Sequence, residues 1–127
     1  MATALGITSG RHTDILDPRL NIRGVIPFYP ANGLSINRGF GGRPDLVDPV
    51  LMIGDDSPPC LIFHGTHDGI VRPAVASRLE EFYAENSTVP CALLWMDYAS
   101  HGSDLYTHGY YNQVFLYYME RFMHQHR

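Results

Sequence analysis

What this sequence has little of narrows it first. Nine Lys plus Arg stand against thirteen Asp plus Glu, a formal charge of −4 over 127 residues. No cluster of basic residues could track a phosphate backbone, which argues against nucleic acid as a partner. Cysteine is scarce as well. Cys60 and Cys91 each open a short apolar run, where a small buried thiol is the usual occupant, and two such residues do not suggest a disulfide scaffold. No apolar stretch approaches the roughly 20 residues that cross a bilayer, and the opening MATALGITSG has neither a basic start nor a long apolar core. The expectation is a soluble protein without a membrane span, the cytoplasm being the favoured compartment. Internal repeats and low-complexity tracts are also missing.

The composition, 45% hydrophobic, supports one folding unit with a core and is too small for two comfortable ones. Three short apolar runs read as strands: IRGVIPFY at 22–29, CLIFH at 60–64 and CALLWM at 91–96. Each is continuous rather than alternating and is bounded by Pro, Gly or Asp, as in parallel strands covered on both faces. Between the last two, PAVASRLEEFYAENS places Val75, Leu79, Phe82 and Tyr83 at helical spacing, with Pro73 suited to a first turn and Asn86 near the end. The terminal GYYNQVFLYYMERFMHQHR repeats the pattern and predicts a second helix whose aromatics, Tyr106, Tyr110, Tyr111, Phe115, Tyr117 and Tyr118, are buried or half-buried. Strand, helix, strand, helix at this spacing is a right-handed βαβ crossover with a closing helix, so the fold class is α/β, parallel strands with crossover helices. Residues 30–59 are long, rich in Gly and Pro and mostly aperiodic, with a short helix around Leu46 to Met52; such a loop reads as a lid or pocket wall.

In open α/β sheets reactive groups collect on the loops leaving the carboxyl ends of the strands. The loop after CLIFH holds Gly65, Thr66, His67 and Asp68; the loop after CALLWM holds Asp97, Tyr98, Ser100, His101 and Gly102. The intervening helix returns the chain so that both loops lie on one edge, which can bring Asp68 within hydrogen-bond reach of His101. An Asp bonded to one imidazole nitrogen fixes the tautomer and leaves the other nitrogen to take a proton from a nucleophile.

At these residues the sequence resembles the C-terminal half of an α/β-hydrolase of the esterase and lipase branch, close to the prolyl-oligopeptidase-like esterases. Members of that group carry a pattern like P-P-x-L-I-x-H-G-x-x-D-x-x-V, and residues 58–71 read PPCLIFHGTHDGIV; ASHGSD at 99–104 stands where the family histidine stands. The resemblance implies Asp68 as the acid of a Ser-His-Asp triad, His101 as its base, no cofactor and no metal, and a small ester as substrate of the complete enzyme. It also implies that 1–127 is a single, partial α/β unit, roughly half of the family's catalytic domain. The nucleophile elbow G-x-S-x-G does not occur; GITSG places Ser9 one position late, and GLSIN lacks the closing glycine. MATALGITSG instead resembles the helix after the elbow, so the nucleophile is expected upstream and the chain alone is expected to be inactive. An edge left unpaired beside residues 22–29 predicts a homo-oligomer or association with the missing N-terminal half.

Other readings stay open on the sequence. Asp68 could simply shape an HDG turn, Asp97 or Asp104 could replace it as partner of His101, and Ser100 or Ser103 could be a nucleophile. His64 reads as a hydrogen-bonded structural histidine and His67 as a rim residue. A non-catalytic binding or interaction domain is one alternative function; a metal-dependent hydrolase using His64, His67, Asp68 and His101 is another.

Overall fold

A computed structural model describes residues 2–11, 16–17, 19–32 and 48–127. Residues 33–47, which hold half of the expected 30–59 loop, Ser35 of GLSIN and the first residues of its expected short helix, lie outside the described residues.

Two parallel strands form the centre. β1 (Cys60–Gly65) and β2 (Cys91–Met96) pair in register from Cys60 opposite Cys91 to Gly65 opposite Met96. The chain returns between them through α3 (Pro73–Asn86), whose first turn accepts Pro73 because the missing N–H would have no intrahelical partner there. The helix stops where Ser87 turns extended, its N–H still reaching the Tyr83 carbonyl and its hydroxyl receiving the N–H of Val89 at 3.1 Å. Cys60 and Cys91 both keep free thiols. The Cys91 thiol, and then burial, push the Cys60 thiol well above its ordinary pKa.

β1 is buried along its whole length, and its side chains alternate between two cores. Cys60 and Ile62 face α1 (Ala2–Ile7), α2 (Pro49–Met52) and α3 through Ala4, Ile7, Met52, Ile53, Ala76, Leu79 and Tyr83. Leu61 and Phe63 face Tyr29, Met96 and Ala99, with Phe28, Tyr111, Phe115 and Phe122 packed against them; the last three ride on α4 (Tyr110–Gln125). Helices therefore cover both faces of a parallel sheet, the arrangement that a continuous apolar strand requires. A bidentate Arg11–Asp56 pair, with a further bond from Arg11 to the Leu51 carbonyl at 2.9 Å, ties the end of the N-terminal helical region to the turn before β1.

Two expectations are corrected. Residues 22–29 do not form a continuous strand: they meet β1 in two isolated parallel bridges, Val25 to Cys60 and Phe28 to Phe63. The backbone bonds explain the gap. Val25 N–H reaches Pro59 O, Leu61 N–H reaches Val25 O, Phe63 N–H reaches Pro27 O and Tyr29 N–H reaches Phe63 O, all at 2.9–3.0 Å. The one ladder position without a bond belongs to Pro27, which has no N–H to give. The aromatics near the last helix are also less buried than expected. Tyr111 and Phe115 are half-buried, whereas Tyr106, Tyr110, Tyr117 and Tyr118 are exposed, and α4 has no fully buried residue. Among the described residues, no helix is long and apolar enough to cross a membrane.

Candidate functional site

The loops that leave β1 and β2 are stitched together before any side chain is considered. Thr66 N–H donates to Met96 O, and His67 N–H donates to Ala99 O, both at 3.0 Å; the Tyr98 N–H reaches Thr66 Oγ1 at 2.8 Å. Gly65 is required by this approach. A Cβ there would stand 2.3 Å from the Ala99 carbonyl oxygen, so the backbone of the second loop occupies the space of a side chain on the first.

The stitching sets Asp68 beside His101. Asp68 Oδ2 accepts from His101 Nδ1 at 2.8 Å, while Oδ1 accepts from the backbone N–H groups of Ile70 at 2.8 Å and Val71 at 2.9 Å. The Asp68 side chain is fully buried. Burial pushes its pKa up, but the Val71 N–H, the His101 imidazole and the Ile70 N–H together outweigh that and hold the carboxyl below its ordinary value. An ionised carboxylate can only accept, so Nδ1 of His101 carries a proton and Nε2 of the neutral ring presents a lone pair. Among the described residues Nε2 makes no hydrogen bond, and the His101 side chain is one-third exposed at 33%. Gly102 follows in the left-handed region (φ 77°), which turns the chain sharply after the imidazole.

His64 approaches the same carboxylate oxygen, Oδ2, as His101 does. It is fully buried, its Nε2 is 2.9 Å from Val71 O and 3.5 Å from Asp68 Oδ2, and its Nδ1 has no partner among the described residues. It holds the 68–71 turn. His67 is exposed, bonded to Thr66 Oγ1 at 3.1 Å and stacked on Tyr98 at 5.2 Å. Among the described residues neither alternative carboxylate bonds His101, whose Nδ1 is taken by Asp68: Asp104 Oδ1 is buried without a hydrogen-bond partner, while the Asp104 backbone N–H donates to the Tyr29 hydroxyl at 3.3 Å and the Asp97 backbone carbonyl receives the Tyr111 hydroxyl. Ser103 Oγ donates to the Ser100 carbonyl at 2.8 Å, and among the described residues neither serine nor Ser9 bonds His101. No group of three or more His, Cys, Asp or Glu among the described residues could hold a metal ion.

Sequence reasoning missed Tyr29. Its ring centroid lies 4.7 Å from that of His101 and 5.7 Å from that of His64, and its φ of 48° is an outlier for a bulky residue. Such a conformation costs about 1–3 kcal/mol and persists only where the surroundings fix it. The available signal was its place at the carboxyl end of the third parallel segment, on the edge that carries the other two loops.

A parallel sheet covered on both faces, with an imidazole and a buried carboxylate meeting at the ends of adjacent strands, is an esterase-like α/β fold. No family model and no curated protein matches the chain. Solved structures do. Thermogutta terrifontis esterase 2 phosphorylated by paraoxon is 26% identical, with a TM-score of 0.73, over 94% of this chain and 47% of that one. The apo form of the same esterase is 25% identical with a TM-score of 0.72, over 96% of this chain and 50% of that one. Its native form, at 23% identity and a TM-score of 0.70 over 94% and 49%, bears on the fold alone. The chain thus spans about half the length of the esterase chains it matches, and the likeness is to a hydrolase.

Proposed function

We propose that this polypeptide supplies the acid and base of a serine carboxylesterase, with His101 as general base then acid and Asp68 as the group that orients it. The observation that carries this reading is the 2.8 Å bond from His101 Nδ1 to a buried carboxylate whose other oxygen is held by two backbone N–H groups. With Nδ1 committed, Nε2 takes the proton of an attacking serine hydroxyl as the acyl bond forms, and returns it to the departing alcohol. Asp68 stays ionised and stabilises the imidazolium between these transfers. Ser9 and Ser35 lack the elbow motif, so in this reading the nucleophile and the oxyanion donors belong to a segment beyond these 127 residues.

The outward backbone groups of Gly24, Ile26 and Phe28 make no hydrogen bond among the described residues, and this edge is where that segment, or a second copy, would add a strand. Three measurements test the reading. The chain alone should fail to react with a fluorophosphonate probe and should sediment as a dimer or larger species. Mixed with the portion of esterase 2 that it does not cover, it should hydrolyse a short p-nitrophenyl ester, and His101→Ala should lower that rate by at least about a thousandfold. Covalent labelling of the chain alone, or activity indifferent to His101, sinks the proposal.

A further inference from the structure

We propose that Tyr29 is a positioning residue for His101, fixing the plane of the imidazole while Asp68 fixes its Nδ1. Three independent observations meet in this one side chain. The backbone is held at φ 48° although Tyr disfavours that region, and the following Pro30 removes the right-handed helical alternative. The strained conformation is locked from both sides, since the Tyr29 N–H donates to Phe63 O at 3.0 Å and the residue is only 7% exposed. An outlier held this firmly at the rim of a polar cluster points to a task at that cluster.

The contacts show what the task is. The phenol ring centroid lies 4.7 Å from that of His101 and 5.7 Å from that of His64, the two imidazoles that approach Asp68 Oδ2. Its hydroxyl accepts the Asp104 N–H at 3.3 Å, within the short turn Ser103–Leu105 that begins two residues after His101. One side chain thus restrains the imidazole by a close ring contact, the two planes inclined by 42°, and the backbone beyond it by a hydrogen bond. It does so from the 22–29 segment, independent of the two stitched loops. Burial pushes the phenol up to about 12, so at neutral pH it neither gives nor takes a proton, which fits orientation rather than proton transfer.

The role rests on His101 being the base, but the test reads the imidazole itself. NMR of the isotope-labelled 127-residue chain should show cross-relaxation between the Tyr29 ring and the His101 ring, and a low-field His101 Nδ1–H protected from solvent exchange. Tyr29→Phe keeps the ring, so it should preserve that proton while the Asp104 amide exchanges about fivefold faster for want of its acceptor. Tyr29→Leu should keep the exchange protection of the β1 and β2 amides and yet lose the protected Nδ1–H. Wild-type protection of that proton in Tyr29→Leu overturns the proposal. Should Tyr29→Leu fail to fold, the ring-to-ring contact in the native chain and the Asp104 amide in Tyr29→Phe decide, since absence of either overturns it as well. A failed reconstitution of esterase activity would leave these resonances as they are, and their failure would leave the assignment of the base standing.

Discussion

On the face of the sheet that carries Cys60 and Ile62, three helices bury Ala4, Ile7, Met52, Leu79 and Tyr83 completely, whereas on the face that carries Leu61 and Phe63 the single helix α4 leaves Leu116, Tyr117 and Tyr118 exposed. The candidate site borders the second face, through Tyr29 and Ala99. Its geometry is therefore held less by close packing of large side chains than by directional contacts: backbone bonds between two loops, a glycine without room for a Cβ, and a carboxylate with two N–H donors. The densely packed face supplies stability. The polar end of the other face supplies direction.

Substitutions separate the two faces. Leu79→Ala should lower the unfolding free energy by about 2–5 kcal/mol, the range for emptying a closed core site, while Leu116→Ala on α4 should stay within about 0.5 kcal/mol. Equal losses in urea denaturation would mean that the two faces do not differ. Asp68→Ala should cost about 1–3 kcal/mol by leaving the buried Val71 N–H without its acceptor, and Asp68→Asn, which keeps an oxygen there, should cost less.

The same carboxylate gives a pH signature. Its folded pKa lies below the ordinary value, so its stabilisation is fully present above the unfolded pKa of about 4 and is lost as the pH falls through the folded value. Acid titration of stability should drop below about pH 4, and more shallowly in Asp68→Asn. Gly65→Ala sharpens the contrast from the backbone side. It should cost about 1–3 kcal/mol and speed exchange of the His67 amide, because the Ala99 carbonyl must move away. A small effect is expected for Asp56→Ala at the exposed Arg11 pair, about 1 kcal/mol or less and fading with added salt.

Much of this was legible in the residues, for identifiable reasons. Continuous apolar runs between turn residues marked β1 and β2, and the helical spacing of Leu79, Phe82 and Tyr83 marked α3. The topology then implied that Asp68 and His101 could meet, and they do, at 2.8 Å. The misreadings share a cause. Pro27 sits inside an apolar run that looks like any buried strand, and only its place in the ladder shows that a bond is missing. Tyr29 carries no motif, since its contact with His101 depends on a left-handed turn that hydrophobic periodicity does not encode. The exposure of Tyr117 and Tyr118 depends on how much sheet there is for α4 to cover, which a helical repeat cannot state.

The facing pair Cys60 and Cys91 gives the molecule a clock for its own opening. They sit side by side in the register of β1 and β2, and the Cys60 proton is held on by its neighbour and by burial, so the reactive thiolate is withheld while the strands stay paired. When the sheet parts, Cys60 regains an ordinary thiol pKa and becomes open to alkylation. The rate at which a thiol reagent consumes Cys60 in the native protein therefore counts excursions in which the centre of the fold comes apart, while the exposed tyrosines of α4 stay silent about them.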